Sequence, residues 1–272
     1  FLATAVSSLA ANYLAPDALN FAALLPPPPT ADSPTTKVEI DQILALQKTR
    51  TPEQAARCAQ IEGEDLWLFG SEVVGPWFNA AKLPKTAAFF AKVREDFIAV
   101  NRAAKDRYPR KRPSFVDPRV QPCVECKDTP AYPSGHGIQS SVWAVLLGAV
   151  FPEKADDFVL RAATTRNYKA ISGVHYPSDL AAGQAIGEAM GRELLKLREV
   201  QRVLAEVREE VAALSAGRHR ITLETQGPRG LLGSLRELRS AFANLAGNAV
   251  RYTPDGGEIV LRWRADPSAG GR

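Results

Sequence analysis

The stretch YKAISGVHYPSD, residues 168–179, contains a histidine and an aspartate four positions apart, His175 and Asp179. The chain has only 3 histidines, so this pair uses a scarce residue type. An aspartate at this distance can accept the imidazole N–H, fix its tautomer and leave the other ring nitrogen free as a nucleophile. A structural hydrogen bond would produce the same pattern, and the pair alone does not decide between the two interpretations.

A second stretch, YPSGHG, combines a turn with the predicted start of a helix at His136. Free backbone N–H groups and the positive end of the helix dipole favour an anion at such a position. Gly135 permits close approach of the backbone, and Ser134 stands directly before it. An ordinary capped helix start explains the pattern equally well.

A third stretch, KDRYPRKRP at residues 105–113, holds 5 basic residues. Such a run is most often a solvated face, and nucleic-acid binding is the functional alternative. The net charge of the whole chain is only +4, so we expect no nucleic-acid partner.

Phosphoryl transfer would use all three stretches. A phosphoryl group needs positive charge near its equatorial oxygens, an in-line nucleophile and an acid for the leaving oxygen. The positive charge could come from Lys105, Arg112 and the backbone of Ser134 and Gly135. His175 would be the nucleophile and His136 the acid, because neutral imidazole attacks whereas imidazolium donates a proton.

Three motifs, K-x(6)-R-P, P-S-G-H and H-x(3)-D, occupy residues 105–113, 133–136 and 175–179. In order and spacing they resemble the type 2 phosphatidic acid phosphatase superfamily. The stretches YLAPDALNFAALLPPPP and GPWFNAAKLPKTAAFF resemble its soluble bacterial branch, the class A non-specific acid phosphatases. The similarity spans residues 12–197, which we assign to an acid phosphatase domain.

This resemblance implies hydrolysis of small phosphate monoesters with broad specificity through a phosphohistidine on His175. His136 would be the general acid, and Asp179 would orient His175. The phosphate would be bound by five residues: Lys105, Arg112, Ser134, Gly135 and Lys169. No cofactor is implied, and vanadate or phosphate is expected as an active-site ligand, because the vanadium haloperoxidases resemble the family at this site.

The third motif departs from the family at one position. The family has Ser-Arg six residues before the nucleophilic histidine, where this chain has Tyr168 and Lys169. Lysine keeps the charge but lacks the planar fork that holds two phosphate oxygens at once. We therefore expect weaker stabilisation of the transition state. Arg166 is the rival source of the missing charge, three positions away.

The elements that must position these residues are predicted to be helices. KTAAFFAKVREDFIAVNRAAKDRY is an amphipathic helix whose stripe runs from Phe90 to Lys105, and HGIQSSVWAVLLGAVF is a second helix. SDLAAGQAIGEAMGRELLKL is a third, with Ser178 as its predicted N-cap. Glycines at every fourth position of this third helix, 183, 187 and 191, predict close packing on another helix. No apolar run approaches the roughly 18 to 20 residues of a membrane span.

The N-terminal residues 1–11 are predicted to be the remnant of a signal peptide, because the small-residue pattern SLAAN resembles the end of one. The expected location is therefore the periplasm or the medium, and an amphipathic N-terminal helix is the alternative. Cys58, Cys123 and Cys126 could form one disulfide with one thiol left over. They do not fit a zinc site.

The character of the sequence changes near residue 198, so residues 198–272 are assigned to a separate fragment. A charged helix comes first, and two strand-like runs, RITLETQ and GEIVLRWRAD, flank a further helix. ELRSAFANLAGNAVRYTPDGGEI resembles the N box of the ATP-binding domain of a phosphate-regulon-type sensor histidine kinase. The resemblance implies that Asn244 holds Mg²⁺ and that Asn248 contacts a nucleotide. The glycine-rich segments of that domain do not follow, so kinase activity is not expected.

We therefore predict a mainly α fold: an all-helical phosphatase core of the superfamily and haloperoxidase kind, then a small α+β C-terminal fragment. An acid phosphatase is the leading function. A phosphate-binding regulatory protein with little or no turnover and a vanadium-dependent haloperoxidase are the alternatives, and assembly into a homo-oligomer stays open.

Overall fold

The computed structural model describes residues 13–15, 17–215, 220–226 and 258–264, the last two ranges as backbone. Residues 1–11, assigned to a signal-peptide remnant, and Asn244 and Asn248, assigned to a nucleotide site, lie outside the described residues. Within the described ranges the elements are α1 (Phe21–Leu24), α2 (Pro34–Thr49), α3 (Pro52–Glu62), α4 (Leu66–Val74), α5 (Pro84–Arg107), α6 (Pro113–Val116), α7 (Gly135–Val150), α8 (Ala155–Ile171), α9 (Pro177–Lys196), α10 (Arg198–Ser215), β1 (Arg220–Gln226) and β2 (Glu258–Arg264).

Helices α7 and α9 pack closely because the glycine row of α9 faces α7. A Cβ atom added at Gly183 would lie 2.5 Å from the carbonyl oxygen of Ser134, and one at Gly191 would lie 2.7 Å from Cβ of Val145. Side chains at these positions would push the helices apart. The close packing predicted from the glycine spacing is therefore confirmed.

The start of each of these two helices is fixed locally. At α7 the hydroxyl of Ser134 accepts the backbone N–H of Gly137 at 3.3 Å, as an N-cap does. At α9 the predicted N-cap, Ser178, is wrong: Tyr176 is the N-cap and Pro177 the first helical residue. Proline takes the first position because its ring presets φ and its missing N–H would be unpaired there in any case. Asp179 then lies in the third position, where its carboxylate accepts the backbone N–H of Tyr176 at 2.9 Å.

The core lies between α5, α7, α8 and α9, with α4 packed against α7 and α8. Its aromatic centre is Phe69, whose ring centroid lies 5.3 Å from that of Trp143 and 6.2 Å from that of Phe158. On α5 the predicted stripe is partly turned to this core, since Phe90 and Val93 are buried. The stripe continues to Lys105 in the last turn, so α5 delivers a cation to the end of the helical body.

Helix α10 follows the predicted boundary at residue 198 and packs against α5, α7 and α9. Its buried residues belong to the same core: Val200, Leu204, Val207 and Val211. Glu210 accepts hydrogen bonds from the backbone of Lys85 and Thr86 at the start of α5, at 2.8 and 3.0 Å. The helical body therefore includes α10.

The two strands pair in parallel, in register from Arg220 opposite Glu258 to Gln226 opposite Arg264. The prediction of strands in both runs is confirmed. Residues 227–257, between the two strands, lie outside the described ranges. Among the helices described, none is long and apolar enough to cross a membrane.

Candidate active site

A cavity of about 630 Å³ opens among α3, α5, the start of α7, the end of α8 and the segment before α9. Six of the eight residues predicted for the catalytic and phosphate sites line it: Lys105, Arg112, Gly135, His136, Lys169 and His175. Ser134 and Asp179 are fully buried directly behind this lining. Residues up to 70 positions apart in sequence are thus brought to one place, as the convergence of the three motifs predicted.

His175 and Asp179 form the pair that the spacing predicted. Nδ1 of His175 lies 3.3 Å from Oδ2 of Asp179, and the histidine is only 2% exposed. Burial, and next the positive charge of Arg112, lower the pKa of His175 well below its ordinary value. The ring is therefore neutral across the mildly acidic range.

The tautomer of His175 follows from its second neighbour. Nη1 of Arg112 lies 3.3 Å from Nε2 of His175. A guanidinium can only donate, so Nε2 must carry its lone pair and Nδ1 must carry the proton. Nδ1–H then donates to Asp179. This arrangement leaves Nε2 as a nucleophile once a substrate oxygen replaces the histidine as the partner of Arg112.

Asp179 is itself held by Arg110, a residue to which the sequence assigned no function. Nη1 of Arg110 donates to Oδ1 of Asp179 at 2.8 Å and to Oγ of Ser178 at 2.7 Å. Burial raises the pKa of Asp179 to about 6, and Arg110 acts against this rise. The guanidinium therefore favours the ionised carboxylate that His175 needs.

Arg110 is anchored in turn from helix α2. Its Nη2 donates to Oε2 of Glu39 at 2.8 Å and to Oγ1 of Thr36 at 3.2 Å. The other oxygen of Glu39 accepts the backbone N–H of Ser178 at 2.7 Å. The guanidinium also lies over the ring of Tyr176, with Cζ 3.7 Å from the centroid. Arg110 thus joins α2 to the start of α9 and fixes Asp179 from behind.

Arg112 and Lys105 are held by backbone carbonyl groups. Nε of Arg112 donates to the carbonyl oxygen of Thr129 at 3.0 Å, and Nη1 to that of Val174 at 3.1 Å. Nζ of Lys105 donates to the carbonyl oxygens of Pro130 and, at 2.9 Å, Pro133. Burial, and next the charge of Arg112, lower the pKa of Lys105 to about 8. Both side chains therefore face the cavity as cations below neutral pH.

His136 lies in the first turn of α7. Its Nε2 is 3.3 Å from the carbonyl oxygen of Glu62, at the end of α3. Burial, and next the charge of Lys169, lower the pKa of His136 to about 4. The imidazole is therefore neutral above that pH, whereas the sequence led us to expect an imidazolium. Gly135 precedes His136. A Cβ atom at position 135 would lie only 3.3 Å from Oδ1 of Asn101, so there is little room at this position for a side chain.

Lys169 lines the cavity and forms an ion pair with Oε2 of Glu62. Its rival, Arg166, instead donates to Oγ of Ser141 at 3.1 Å and is not part of the cavity lining. Lys169 is therefore the cation of α8 that reaches the site, and the alternative assignment to Arg166 is wrong.

One side of the cavity is apolar. Its aromatic residues are Trp67, Phe90, Phe97 and Trp143. Such a surface can contact the organic part of a substrate, while the histidines and cations bind the polar part. Among the residues described, no group of three or more His, Cys, Asp or Glu side chains is arranged as metal ligands.

Comparison with known proteins identifies the helical body. Residues 88–202 match the PAP2 superfamily. The non-specific acid phosphatase of Salmonella typhi is 29% identical over 203 residues, which cover 72% of this chain and 81% of that protein. The non-specific acid phosphatase of Providencia stuartii is 28% identical over 207 residues, 72% of this chain and 83% of its own.

A different relative matches a short segment. The phosphate regulon sensor protein PhoR of Pseudomonas aeruginosa is 57% identical over 68 residues. The match covers 25% of this chain and spans only 15% of the length of the sensor protein. Residues 88–202 are thus similar to the PAP2 superfamily, in a chain that also carries a short segment similar to a phosphate regulon sensor protein.

Proposed function

We propose that this protein is an acid phosphatase that hydrolyses small phosphate monoesters with broad specificity. The observation that carries the proposal is that His175, with Nδ1–H directed to Asp179 and Nε2 beside Arg112, lines one cavity together with the cationic side chains of Lys105 and Lys169. The non-specific acid phosphatases that cover most of this chain support the same activity.

In the proposed first step, Nε2 of His175 attacks phosphorus, and the bond from phosphorus to the ester oxygen breaks. Asp179 stabilises the positive charge that develops on the ring. Cationic and backbone donors bind the equatorial oxygens: Lys105, Arg112, Lys169 and the N–H groups at the start of α7 beside Ser134 and Gly135. The expected product is a phosphohistidine and an alcohol.

His136 is proposed to protonate the leaving oxygen. Its pKa of about 4 in the empty site is set by burial and by the charge of Lys169. A bound phosphate monoester brings negative charge between His136 and Lys169, and this charge raises the pKa of the His136 imidazole. In the second step neutral His136 removes a proton from water, the oxygen of that water attacks phosphorus, and the bond from His175 to phosphorus breaks. Inorganic phosphate is released and His136 is again protonated.

Broad specificity is proposed because the organic part of the substrate would contact the aromatic side of the cavity, where contacts depend little on direction. The reaction as written needs no metal ion. Vanadate should bind as a mimic of the five-coordinate transition state. We further propose a periplasmic or secreted location, for which the pattern SLAAN is the support, and cell fractionation tests it.

Turnover of p-nitrophenyl phosphate at acid pH tests the proposal. We expect wild-type protein to release inorganic phosphate and His175→Ala to release none. An alkaline denaturing quench during turnover should trap phosphate on protein as an alkali-stable species that acid then releases, and His175→Ala should lack this species. Wild-type protein that binds phosphate but does not turn over would favour the regulatory alternative. Halide oxidation that appears only with vanadate would favour a haloperoxidase.

Whether the segment similar to a sensor protein affects activity is tested by comparing the full chain with a shortened chain. A shortened chain should end after Ser215 and not near residue 197, because Val200 and Leu204 of α10 are buried in the core. Equal activity of the full and shortened chains would place catalysis in the helical body alone.

A further inference from the structure

Glu62 occupies an unusual place for a carboxylate, inside a cavity that is to bind a phosphate. It ends helix α3 and lines the cavity beside His136 and Lys169. Its Oε2 forms an ion pair with Nζ of Lys169, and its Oε1 lies 3.5 Å from Nζ of Lys127. Sequence analysis did not single out this residue, because Glu62 and Lys169 are 107 positions apart.

The ion pair engages the cation that stands at the family's arginine position. The side chain of Lys169 is only 3% exposed, so it has little freedom to turn elsewhere. Burial acts to raise the pKa of Glu62, but the charge and hydrogen bond of Lys169 outweigh burial, and the pKa lies below its ordinary value. Glu62 is therefore ionised in the empty site at mildly acidic pH.

A phosphate oxygen that approaches Lys169 must come close to this carboxylate. Two like charges at such a distance repel each other strongly in a partly buried site. The side chain of Glu62 is 24% exposed, and Lys127, 58% exposed, lies on its other side, so the carboxylate has a second cation toward which it can move. The carboxylate can thus leave one lysine without losing a cationic partner.

We infer that Glu62 is an internal counter-ion that holds Lys169 in the empty site and is displaced toward Lys127 when phosphate binds. This inference rests on the proposed function and adds to it a residue that sets affinity. Because the Glu62 carboxylate must first be displaced from Lys169, substrate and product phosphate both bind more weakly. Weak binding of the product favours its release, whereas the chemical step is little affected.

Calorimetric titration with inorganic phosphate tests the inference without requiring turnover. Glu62→Gln keeps the shape of the side chain and removes its charge. We expect it to bind phosphate about fivefold more tightly than wild type, as a partly exposed ion pair allows. In turnover assays its KM should fall by a similar factor, and its kcat should not rise.

Glu125→Gln is the matched control, because Glu125 lines the same cavity but is exposed and forms no ion pair with Lys169. It should change phosphate affinity by less than about twofold. An equal gain in both variants would mean that any negative charge in the cavity matters and would overturn the inference. A double variant, Glu62→Gln with Lys169→Met, should bind phosphate no more tightly than Lys169→Met alone, since the counter-ion acts through Lys169.

The two proposals fail in different ways. If wild-type protein binds no phosphate, the proposed function fails and this inference with it. If wild type binds phosphate and Glu62→Gln binds it equally or more weakly, only the inference fails. Should Glu62→Gln not fold, Glu62→Ala makes the same test, and a loss of affinity there would likewise overturn it.

Discussion

The two histidines of the cavity are supported in contrasting ways. On the nucleophile side, His175 is held by Asp179, Asp179 by Arg110, and Arg110 by Glu39, all of them buried. On the side of the proposed acid, Nε2 of His136 lies beside a backbone carbonyl of Glu62, whose side chain is partly exposed and lies between two lysines.

This difference matches what the proposed mechanism requires of the nucleophile and of the acid. The nucleophile has to keep one tautomer and one direction through the reaction, and a buried chain of charge pairs supplies that rigidity. The acid must change its protonation state and the cation beside it must accept a phosphate, so partners that can exchange are useful there. The first side is preorganised, and the second is adjusted by the substrate.

Asp179→Asn should produce the largest loss. The amide can donate a hydrogen bond to Nδ1, which places the proton on Nε2 and removes the nucleophile. We expect kcat to fall about a thousandfold or more, as tautomer reversal does in comparable pairs. Rapid-quench measurement of phosphohistidine formation checks this. A change confined to KM would show that the carboxylate does not orient His175.

Replacing Arg110 should shift the pH profile of kcat. Without the guanidinium, the pKa of Asp179, already raised by burial to about 6, rises further. The carboxylate is then protonated at higher pH, so the acid limb of the pH profile of kcat moves upward by about one pH unit or more. At a pH below that limb, kcat falls about tenfold relative to wild type.

The variant to use is Arg110→Gln combined with Glu39→Gln, so that the buried Glu39 carboxylate is not left without its cation. Glu39→Gln alone is the control, since it leaves the contact between Arg110 and Asp179 in place. If the double variant and the Glu39→Gln control have the acid limb of kcat at the same pH, a positioning function for Arg110 is contradicted.

Gly183→Ala tests whether the stability of the helical body depends on the close spacing of α7 and α9. The added Cβ would lie 2.5 Å from the carbonyl oxygen of Ser134, directly before the turn that carries His136. We expect the free energy of unfolding to fall by about 1 to 3 kcal/mol, as overpacking does. Chemical denaturation measures it, and Gly63→Ala is the control, because its Cβ would meet only ordinary contact at 4.0 Å. Equal stability of the two variants would contradict the packing argument.

Lys169→Arg should have the smallest effect, and of the opposite sign. Arginine can bind two phosphate oxygens at once, so kcat/KM for p-nitrophenyl phosphate should rise about threefold to tenfold. Arginine would still face Glu62, which limits the gain. Unchanged or lower turnover would show that lysine is not a weakness at this position.

Local signals predicted much of the fold and of the site. The three helices named from the sequence are present, α7 begins at the predicted turn before His136, and the glycine row of α9 packs on α7. Where the sequence analysis failed, two local preferences competed. Ser178 is a good N-cap residue, but Pro177 before it is better suited to the first helical position, and this moved the cap to Tyr176.

The sequence by itself determined which candidate reacting groups this protein has and the helices that carry them, because motif spacing and helix signals act over a few residues. Only the tertiary structure decided which partners those groups meet. Arg110 finds Glu39, 71 positions away, and Lys169 rather than Arg166 reaches Glu62. These pairings depend on which helix faces lie together, and packing of the whole core sets that arrangement.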